Sequence, residues 1–294
     1  MKRQYIFFEI ADVVIKIEIP EKIIKEDMPY INFLTVPKKE DIRVSCDILS
    51  NLPKTNERLI YYDTRNLVYG ENIGIRYIGH FERPENINGA SCYIYYDYKQ
   101  MDSYKVVLRK NDSISLGTVL SGIGIEFLMA RKCRVILHSS FISYQGKGIV
   151  FTGPSGIGKS TQAELWRLNR PQVEIINGDR SILSCQNNTP MVYGLPFCGS
   201  SKIALNKSVP LRAIVILCQG KENNICSLGD MEAVKQIYSE CSVSPWDRQC
   251  IQNVLEVLKC IVSKVPVYVL SCLPEKSAVD LLDEVLQKGE VLNE

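Results

Sequence analysis

The sequence lacks the residues and patterns that mark several classes of protein. It has only two histidines among its 294 residues, and none of its 11 cysteines belongs to a Cys-x-x-Cys pair, so the usual ligand spacing of a structural zinc site is missing. Its 35 basic and 33 acidic residues nearly cancel, which leaves no strong field to attract nucleic acid or an anionic membrane. We therefore expect neither partner.

Long hydrophobic runs are missing as well. The longest apolar stretch, from Val119 to Ala130, is too short to cross a bilayer and contains Glu126. The first residues lack the apolar segment and the small-residue cleavage site of a secretion signal. Most cysteines lie in apolar runs such as Ile214–Cys218, which is typical of buried thiols in a reducing compartment. These features predict a cytoplasmic protein with free, buried cysteines.

The first part of the chain alternates short apolar and aromatic segments with turn-forming residues. Segments with this pattern are Tyr5–Ile10, Val13–Ile19, Arg58–Tyr62, Gly74–Tyr77, Ser91–Tyr98 and Tyr104–Arg109. The pattern predicts a small, mainly antiparallel β module over residues 1–112. The aromatic residues between Tyr93 and Tyr98 are more typical of packing within a strand than of a recognition surface.

The second part, residues 113–294, has a mixed α/β pattern. Asn111-Asp112-Ser113 has the composition of a helix cap, and apolar residues then recur at helical spacing from Leu116 to Leu128. Further strands are predicted at Arg134–His138, Gly148–Phe151, Ala213–Cys218 and Val267–Ser271, and amphipathic helices at 251–262 and 278–286. The first two of these strands form a predicted hairpin through Tyr144–Lys147. The fold class is therefore α/β (α+β).

The strongest motif follows this hairpin and reads Gly153-Pro154-Ser155-Gly156-Ile157-Gly158-Lys159-Ser160-Thr161. Its glycines allow backbone conformations that turn successive N–H groups towards phosphate oxygens, and the next helix adds its positive N-terminal end. Lys159 can reach β- and γ-phosphates, Ser160 can bind Mg²⁺, and Thr161 can help to cap the helix. These nine residues predict an ATP site; the alternative is a glycine-rich turn of an ordinary α/β protein.

Three further features are candidates for the same site. Asp179 follows the apolar pair Ile175-Ile176 and is the candidate second ligand of Mg²⁺, although a lone Asp at a strand end is usually a turn residue. His138 ends a predicted strand, where it is either a proton carrier or a structural residue. The segment Gly194–Lys202 is either a loop that closes on phosphate through Lys202 or a solvated connection.

Together these residues resemble the catalytic domain of HPr kinase/phosphorylase and its relatives, which share a fold with ATP-dependent phosphoenolpyruvate carboxykinase. The resemblance rests on Leu137-His138-Ser139-Ser140, on the hairpin that runs into the glycine-rich loop, and on the pair Asp179-Arg180. It covers roughly residues 130–185 well. It implies a carboxykinase-like domain over residues 113–294 in which the loop binds ATP and Ser160 and Asp179 hold Mg²⁺.

The resemblance also implies an activity. The family transfers phosphate to a serine hydroxyl of a protein, and relatives in peptide-modifying gene clusters look like kinases for precursor peptides. Lys159 matches the loop lysine and His138 matches the upstream histidine, so Lys159, Asp179 and His138 are the candidate catalytic residues. A homo-oligomer stays open, because hexamers occur in the family. The chain departs from the family at Gly178, which replaces the acid that acts as base for the serine.

Three functions follow as hypotheses. The first is an ATP-dependent phosphotransferase that phosphorylates a Ser or Thr hydroxyl of a protein or peptide. The second is an ATP-binding accessory or regulatory protein without phosphoryl transfer, which the glycine at position 178 favours. The third is carboxykinase-like chemistry on a small carboxylic acid, for which two histidines make the metal ligands hard to assemble. The motif for the reverse, phosphorolytic reaction is not evident.

Overall fold

The chain forms two units, each with its own β-sheet. The structure is a computed structural model that describes residues 2–21, 24–25, 27–71, 73–100, 102–110 and 114–291. Unit 1 consists of Met1–Leu128 and Ser244–Arg248, and unit 2 consists of Met129–Val243 and Gln249–Glu294. The mixed α/β class is therefore confirmed, with one sheet per unit.

Unit 1 is built on a sheet whose described part has eight strands in the order β1-β2-β4-β9-β8-β7-β6-β5. The strands are β1 (Arg3–Ile10), β2 (Val13–Pro20), β4 (Ile42–Leu49), β5 (Leu59–Tyr62), β6 (Asn66–Tyr69), β7 (Ile73–Gly79), β8 (Ala90–Asp97) and β9 (Ser103–Arg109). A separate short parallel pair joins β3 (Ile24–Lys25) to β10 (Ile114–Ser115). In the main sheet β4 runs parallel to both of its neighbours, and the other described pairs are antiparallel.

One predicted helix is divided in two. α1 (Leu116–Gly122) and α2 (Ile125–Arg131) are separated at Gly124, whose φ of +66° cannot continue a helix. The predicted cap Asn111-Asp112-Ser113 lies outside the described residues; the side chain of Ser115 caps α1 by accepting a hydrogen bond from the N–H of Thr118. The division between the units falls after Leu128, whereas the predicted domain boundary lies at 112/113.

Unit 2 contains the second sheet and the glycine-rich loop. Its strands are β11 (Val135–Tyr144), β12 (Lys147–Thr152), β13 (Glu174–Asn177), β14 (Arg180–Gln186), β15 (Thr189–Tyr193), β16 (Ser208–Gln219), β17 (Asn224–Ser227) and β18 (Val267–Cys272). Its helices are α3 (Lys159–Asn169), α4 (Asp230–Ser239), α5 (Arg248–Val262) and α6 (Lys276–Val291). The sheet order is β12-β11-β14-β15-β16-β18-β17, and β13 pairs with β11.

Strand β11 changes partners along its length, and this change positions the candidate site. Its first part, Val135–His138, pairs with β14, whereas residues 139–144 pair with β12 on one side and β13 on the other. The predicted β11–β12 hairpin is confirmed, and its turn uses the left-handed conformations of Gln145 and Gly146. The C-terminal ends of β12 and β13 therefore flank β11, which brings the residues that follow them together.

The core of unit 2 packs α3 and α6 against this sheet. Trp166 of α3 and Leu282 of α6 are fully buried with Phe151 of β12 and Val215 of β16. Because α3 begins at Lys159, its packing also fixes the orientation of the glycine-rich loop.

The cysteine prediction is wrong for part of the set. Cys185 of β14 and Cys260 of α5 form a disulfide, and Cys218 and Cys226 are exposed rather than buried. The bonded pair is 75 residues apart in sequence, so tertiary packing, and no local spacing, brings the two thiols together. Within the described part of the chain, none of the helices combines the length and the apolar character needed to cross a membrane.

Candidate functional site

The glycine-rich loop joins the end of β12 to the start of α3. Gly153, Gly156 and Gly158 have φ values of +136°, +79° and +114°, a region that other residues adopt only with strain. A Cβ added to Gly156 or Gly158 would meet no atom within 4 Å, so the backbone angle, and not lack of space, requires glycine at these two positions. Pro154, Ser155 and Gly156 are exposed, so the loop is open to solvent.

The ammonium of Lys159 lies across this loop. Its Nζ donates hydrogen bonds to the carbonyl oxygens of Gly153 at 2.7 Å and Pro154 at 3.0 Å. Burial lowers the pKa of Lys159, while the negative charges of Glu240 and Asp179 oppose this shift. The loop thus holds the buried ammonium of Lys159. This group has to break only two hydrogen bonds to carbonyl groups to reach an anion.

Helix α3 begins with its first backbone N–H groups directed towards the loop. Gly158 is the N-cap residue, and no side chain makes a cap hydrogen bond there. The predicted capping role of Thr161 is therefore wrong, because glycine at the cap offers no side-chain oxygen and Thr161 is already exposed inside the first turn. An uncapped helix N-terminus carries partial positive charge and free donors for an anion.

The carbonyl group of Gly178 connects the loop to the turn that carries Asp179. The hydroxyl of Ser160 donates to this oxygen at 3.0 Å, and the hydroxyl of Ser140 on β11 donates to it at 3.0 Å as well. The structure therefore places Ser160 beside the residue that precedes Asp179. These two candidate Mg²⁺ ligands are 19 positions apart in sequence, from 160 to 179, and Ser160 reaches the neighbour of Asp179 because β12 and β13 both flank β11.

The carboxylate of Asp179 projects from a turn that Asn177 organises. The side-chain oxygen of fully buried Asn177 accepts hydrogen bonds from the N–H groups of Asp179 and Arg180, both at 2.9 Å. Its amide group donates to the carbonyls of Leu195 at 2.6 Å and Phe197 at 3.1 Å. This role of Asn177 was not predicted from the sequence; the turn-forming run Asn177–Asp179 is the signal that could have indicated it.

His138 lies between two carboxylates at the point where β11 changes partners. Its Nε2 is 3.9 Å from Oδ1 of Asp179, and its Nδ1 is 3.5 Å from Oε2 of Glu240. Burial and the ammonium of Lys159 lower the pKa of His138, while Asp179 and Glu240 oppose the shift, so the imidazole is neutral at pH 7. Glu240 was not predicted, because it is about 100 residues from His138 and belongs to no motif.

A short 3₁₀ turn, Gly199–Ser201, packs against the turn that carries Gly178 and Asp179. A Cβ added to Gly178 would lie 2.4 Å from both Cβ and Oγ of Ser201, and one added to Gly199 would lie 2.8 Å from Cγ of Asp179. Ser201 therefore fills the space that a side chain at position 178 would need. Lys202, which directly follows this turn, is exposed and has a φ of +58°.

The side chains available as metal ligands indicate which kind of metal ion the site could hold. No group of three or more His, Cys, Asp or Glu side chains in the described residues could hold a metal by itself. One hydroxyl and one carboxylate, from Ser160 and Asp179, match the sparse protein ligation of Mg²⁺, which takes its other ligands from water and phosphate oxygens. The residues present therefore fit a magnesium–nucleotide complex better than a metal held by protein alone.

Comparison with known proteins gives a family and distant structural likenesses. No curated protein matches the chain. Among solved structures, the HPr(Ser) kinase/phosphatase from Coxiella burnetii is 14% identical, with 54% of this chain and 97% of that chain covered and a TM-score of 0.29. At that score the likeness supports no argument about the site. The family model of SynChlorMet cassette protein ScmC matches residues 109–275, which is more than half of the sequence, and the chain therefore belongs to the ScmC family.

Proposed function

We propose that unit 2 binds Mg-ATP on the loop Gly153–Thr161 and transfers the γ-phosphoryl group to a Ser or Thr hydroxyl of a protein or peptide, with a precursor peptide as the first acceptor to test. One observation carries this proposal. The hydroxyl of Ser160 donates to the carbonyl of Gly178, which directly precedes Asp179, and the adjacent Lys159 lies across the loop beside an uncapped helix N-terminus. This arrangement combines donors for phosphate with ligands for Mg²⁺.

Each residue has a defined task in this proposal. The N–H groups of the loop and of α3 bind phosphate oxygens, and Lys159 leaves its two carbonyl partners for the β- and γ-phosphates. Ser160 and Asp179 would hold Mg²⁺, which when bound neutralises charge on the β- and γ-oxygens. His138 lies beside Asp179, and in this proposal it accepts the proton of a peptide's acceptor hydroxyl.

The binding step is tested by calorimetry with Mg-ATP. We expect Lys159→Ala to weaken binding about ten- to a hundredfold, because it removes a charge-assisted hydrogen bond to phosphate. Lys147→Ala is the matched control, because Lys147 is an exposed lysine at the opposite end of β12. Well-folded wild-type protein that gives no heat of binding with Mg-ATP would rule out the proposed site.

The transfer step needs a separate measurement. With radiolabelled ATP and candidate peptides, we expect label to move to Ser or Thr, and Asp179→Asn to slow this transfer while leaving binding of ATP without magnesium nearly unchanged. Label that stays on ATP with every acceptor would contradict the kinase assignment and leave binding intact.

A second function is favoured by a specific contact. Because Ser201 fills the space beside Gly178, no acid can occupy that position in this conformation. This contact supports an ATP-binding accessory or regulatory role without phosphoryl transfer. Such a role predicts binding of Mg-ATP in the calorimetry and no transfer of label in the radiolabelling experiment. Carboxykinase-like chemistry gains no comparable support, since the described residues hold no histidine-rich metal site.

A further inference from the structure

The turn Gly199–Ser201 packs against the turn that carries Gly178 and Asp179. The side chain of Ser201 packs on Gly178, whose carbonyl oxygen accepts the hydroxyl hydrogen of Ser160 at 3.0 Å. In the same turn, the backbone of Gly199 lies so close to Asp179 that a Cβ there would be 2.8 Å from the carboxyl carbon. The turn that carries Ser201 is therefore in contact with both Gly178 and Asp179.

The hydroxyl of Ser201 is held only by its own turn. Its Oγ donates to the carbonyl of Cys198 at 2.6 Å and accepts from the N–H of Ile203 at 3.3 Å. Neither bond belongs to a sheet or helix, so rotation about the Cα–Cβ bond of Ser201 releases the hydroxyl without breaking the fold. The side chain is also partly exposed, which leaves room on its outer side.

This turn begins at a left-handed glycine and is followed by a left-handed lysine. It is entered at Gly199, with φ of +52°, and left at Lys202, with φ of +58°, so left-handed residues lie at both ends of a single short turn. Lys202 is exposed on the same turn and carries a positive charge towards which a phosphate group is attracted.

We propose that Ser201 is an internal phosphoryl acceptor, which this chain phosphorylates on itself. This inference rests on the proposed function, because it uses the same Mg-ATP site, and it names the acceptor. The Oγ of Ser201 forms a bond to the γ-phosphorus while the bond from that phosphorus to the β,γ-bridging oxygen breaks. ADP leaves with the electron pair, and the hydroxyl proton is released to solvent.

The choice of Ser201 over its neighbour is also structural. Ser200 is exposed at the outside of the turn, whereas Ser201 is half-buried and in contact with Gly178. The two adjacent serines thus differ in exposure and in contact with Gly178. This difference supplies a matched control for the experiment.

The test is phosphosite mapping by mass spectrometry after incubation of the full chain with Mg-ATP. We expect phosphate on Ser201 of the wild type, its loss in Ser201→Ala, and its retention in both Ser200→Ala and Ser201→Thr. The first-order rate constant should not change with protein concentration, because the acceptor belongs to the same molecule. Lys159→Ala should slow the reaction on the order of a hundredfold, since it removes a group that stabilises transferred charge.

The outcomes separate this inference from the proposed function. Wild-type protein that binds Mg-ATP by calorimetry and phosphorylates a peptide but carries no phosphate on Ser201 overturns the inference and leaves the proposed function standing. Equal labelling of the wild type and Ser201→Ala, or a rate that rises with protein concentration, also overturns it. Absence of Mg-ATP binding overturns both. Calorimetry on Ser201→Ala shows whether that variant keeps the folded site.

Discussion

At the scale of single residues, Gly178 shows how one side chain is excluded by another. Its backbone angle is ordinary, but a Cβ there would lie 2.4 Å from the side chain of Ser201. Any side chain at position 178 therefore competes with Ser201 for the same space. An acidic side chain introduced at position 178 would clash with this serine.

We expect Gly178→Asp to lower the free energy of unfolding by about 1–3 kcal/mol, because it overpacks the contact with Ser201. By itself it should not increase the rate of phosphoryl transfer. The double variant Gly178→Asp with Ser201→Gly should recover much of the lost stability, as measured by urea unfolding. Gly229→Asp is the control: Gly229 is the N-cap of α4 with open space around it, so the same chemical change should be neutral or stabilising. Equal destabilisation by both single changes would contradict the steric explanation.

At the scale of elements, the residue that caps the end of α3, Arg170, adds ion pairs with α6 to the apolar packing of the two helices. Nη2 of Arg170 is 2.9 Å from Oδ1 of Asp280, and its Nε contacts the buried carboxylate of Asp283. Because α3 carries the glycine-rich loop at its other end, this clamp stabilises the base of the candidate site.

We expect Arg170→Ala to cost about 3 kcal/mol of unfolding free energy, because it leaves the carboxylate of Asp283 buried without its partner. Arg167→Ala, on the same helix, should cost less than about 1 kcal/mol, because the pair of Arg167 with Glu164 is exposed. Chemical denaturation of both variants measures the difference. Similar costs at the two positions would show that burial does not determine how much the ion pairs of Arg170 contribute to the free energy of unfolding.

The disulfide between β14 and α5 links elements that are distant in sequence. It closes a loop of 75 residues, so its removal should lower stability by roughly 4 kcal/mol through the entropy of the unfolded chain. We expect this loss in Cys185→Ser with Cys260→Ser, and little loss in the control Cys218→Ser with Cys226→Ser, which removes two exposed free thiols. A thiol assay on denatured, unreduced protein should find nine reactive groups; 11 would show that the bond does not form.

The elements differ in how far sequence predicts them. The β11–β12 hairpin and α5 were predictable because turn residues and apolar periodicity are local signals. The loop residues 153–161 were predictable as a motif. The contacts of Glu240 with His138 and of Ser201 with Gly178 were not, because each joins residues that meet only when the sheet and its connections have formed. The disulfide between Cys185 and Cys260 was not predicted for the same reason.

At the scale of the whole molecule, the near balance of 35 basic and 33 acidic residues keeps overall self-repulsion small near neutral pH. A single perturbed group can then be detected in the pH dependence of stability. His138 is such a group, because burial and Lys159 hold its pKa below the ordinary value of 6.5.

As the pH falls through about 6.5, the unfolded chain binds a proton at His138 before the folded chain does, so the free energy of unfolding decreases until the folded pKa is passed. We expect His138→Gln to reduce this decrease between about pH 7.5 and about pH 5.5, measured by urea unfolding at each pH. His80→Gln is the matched control, because it replaces the other histidine, which is exposed on unit 1. An unchanged pH dependence in His138→Gln would mean that folding leaves the pKa of His138 at its ordinary value, which would contradict the expected shift.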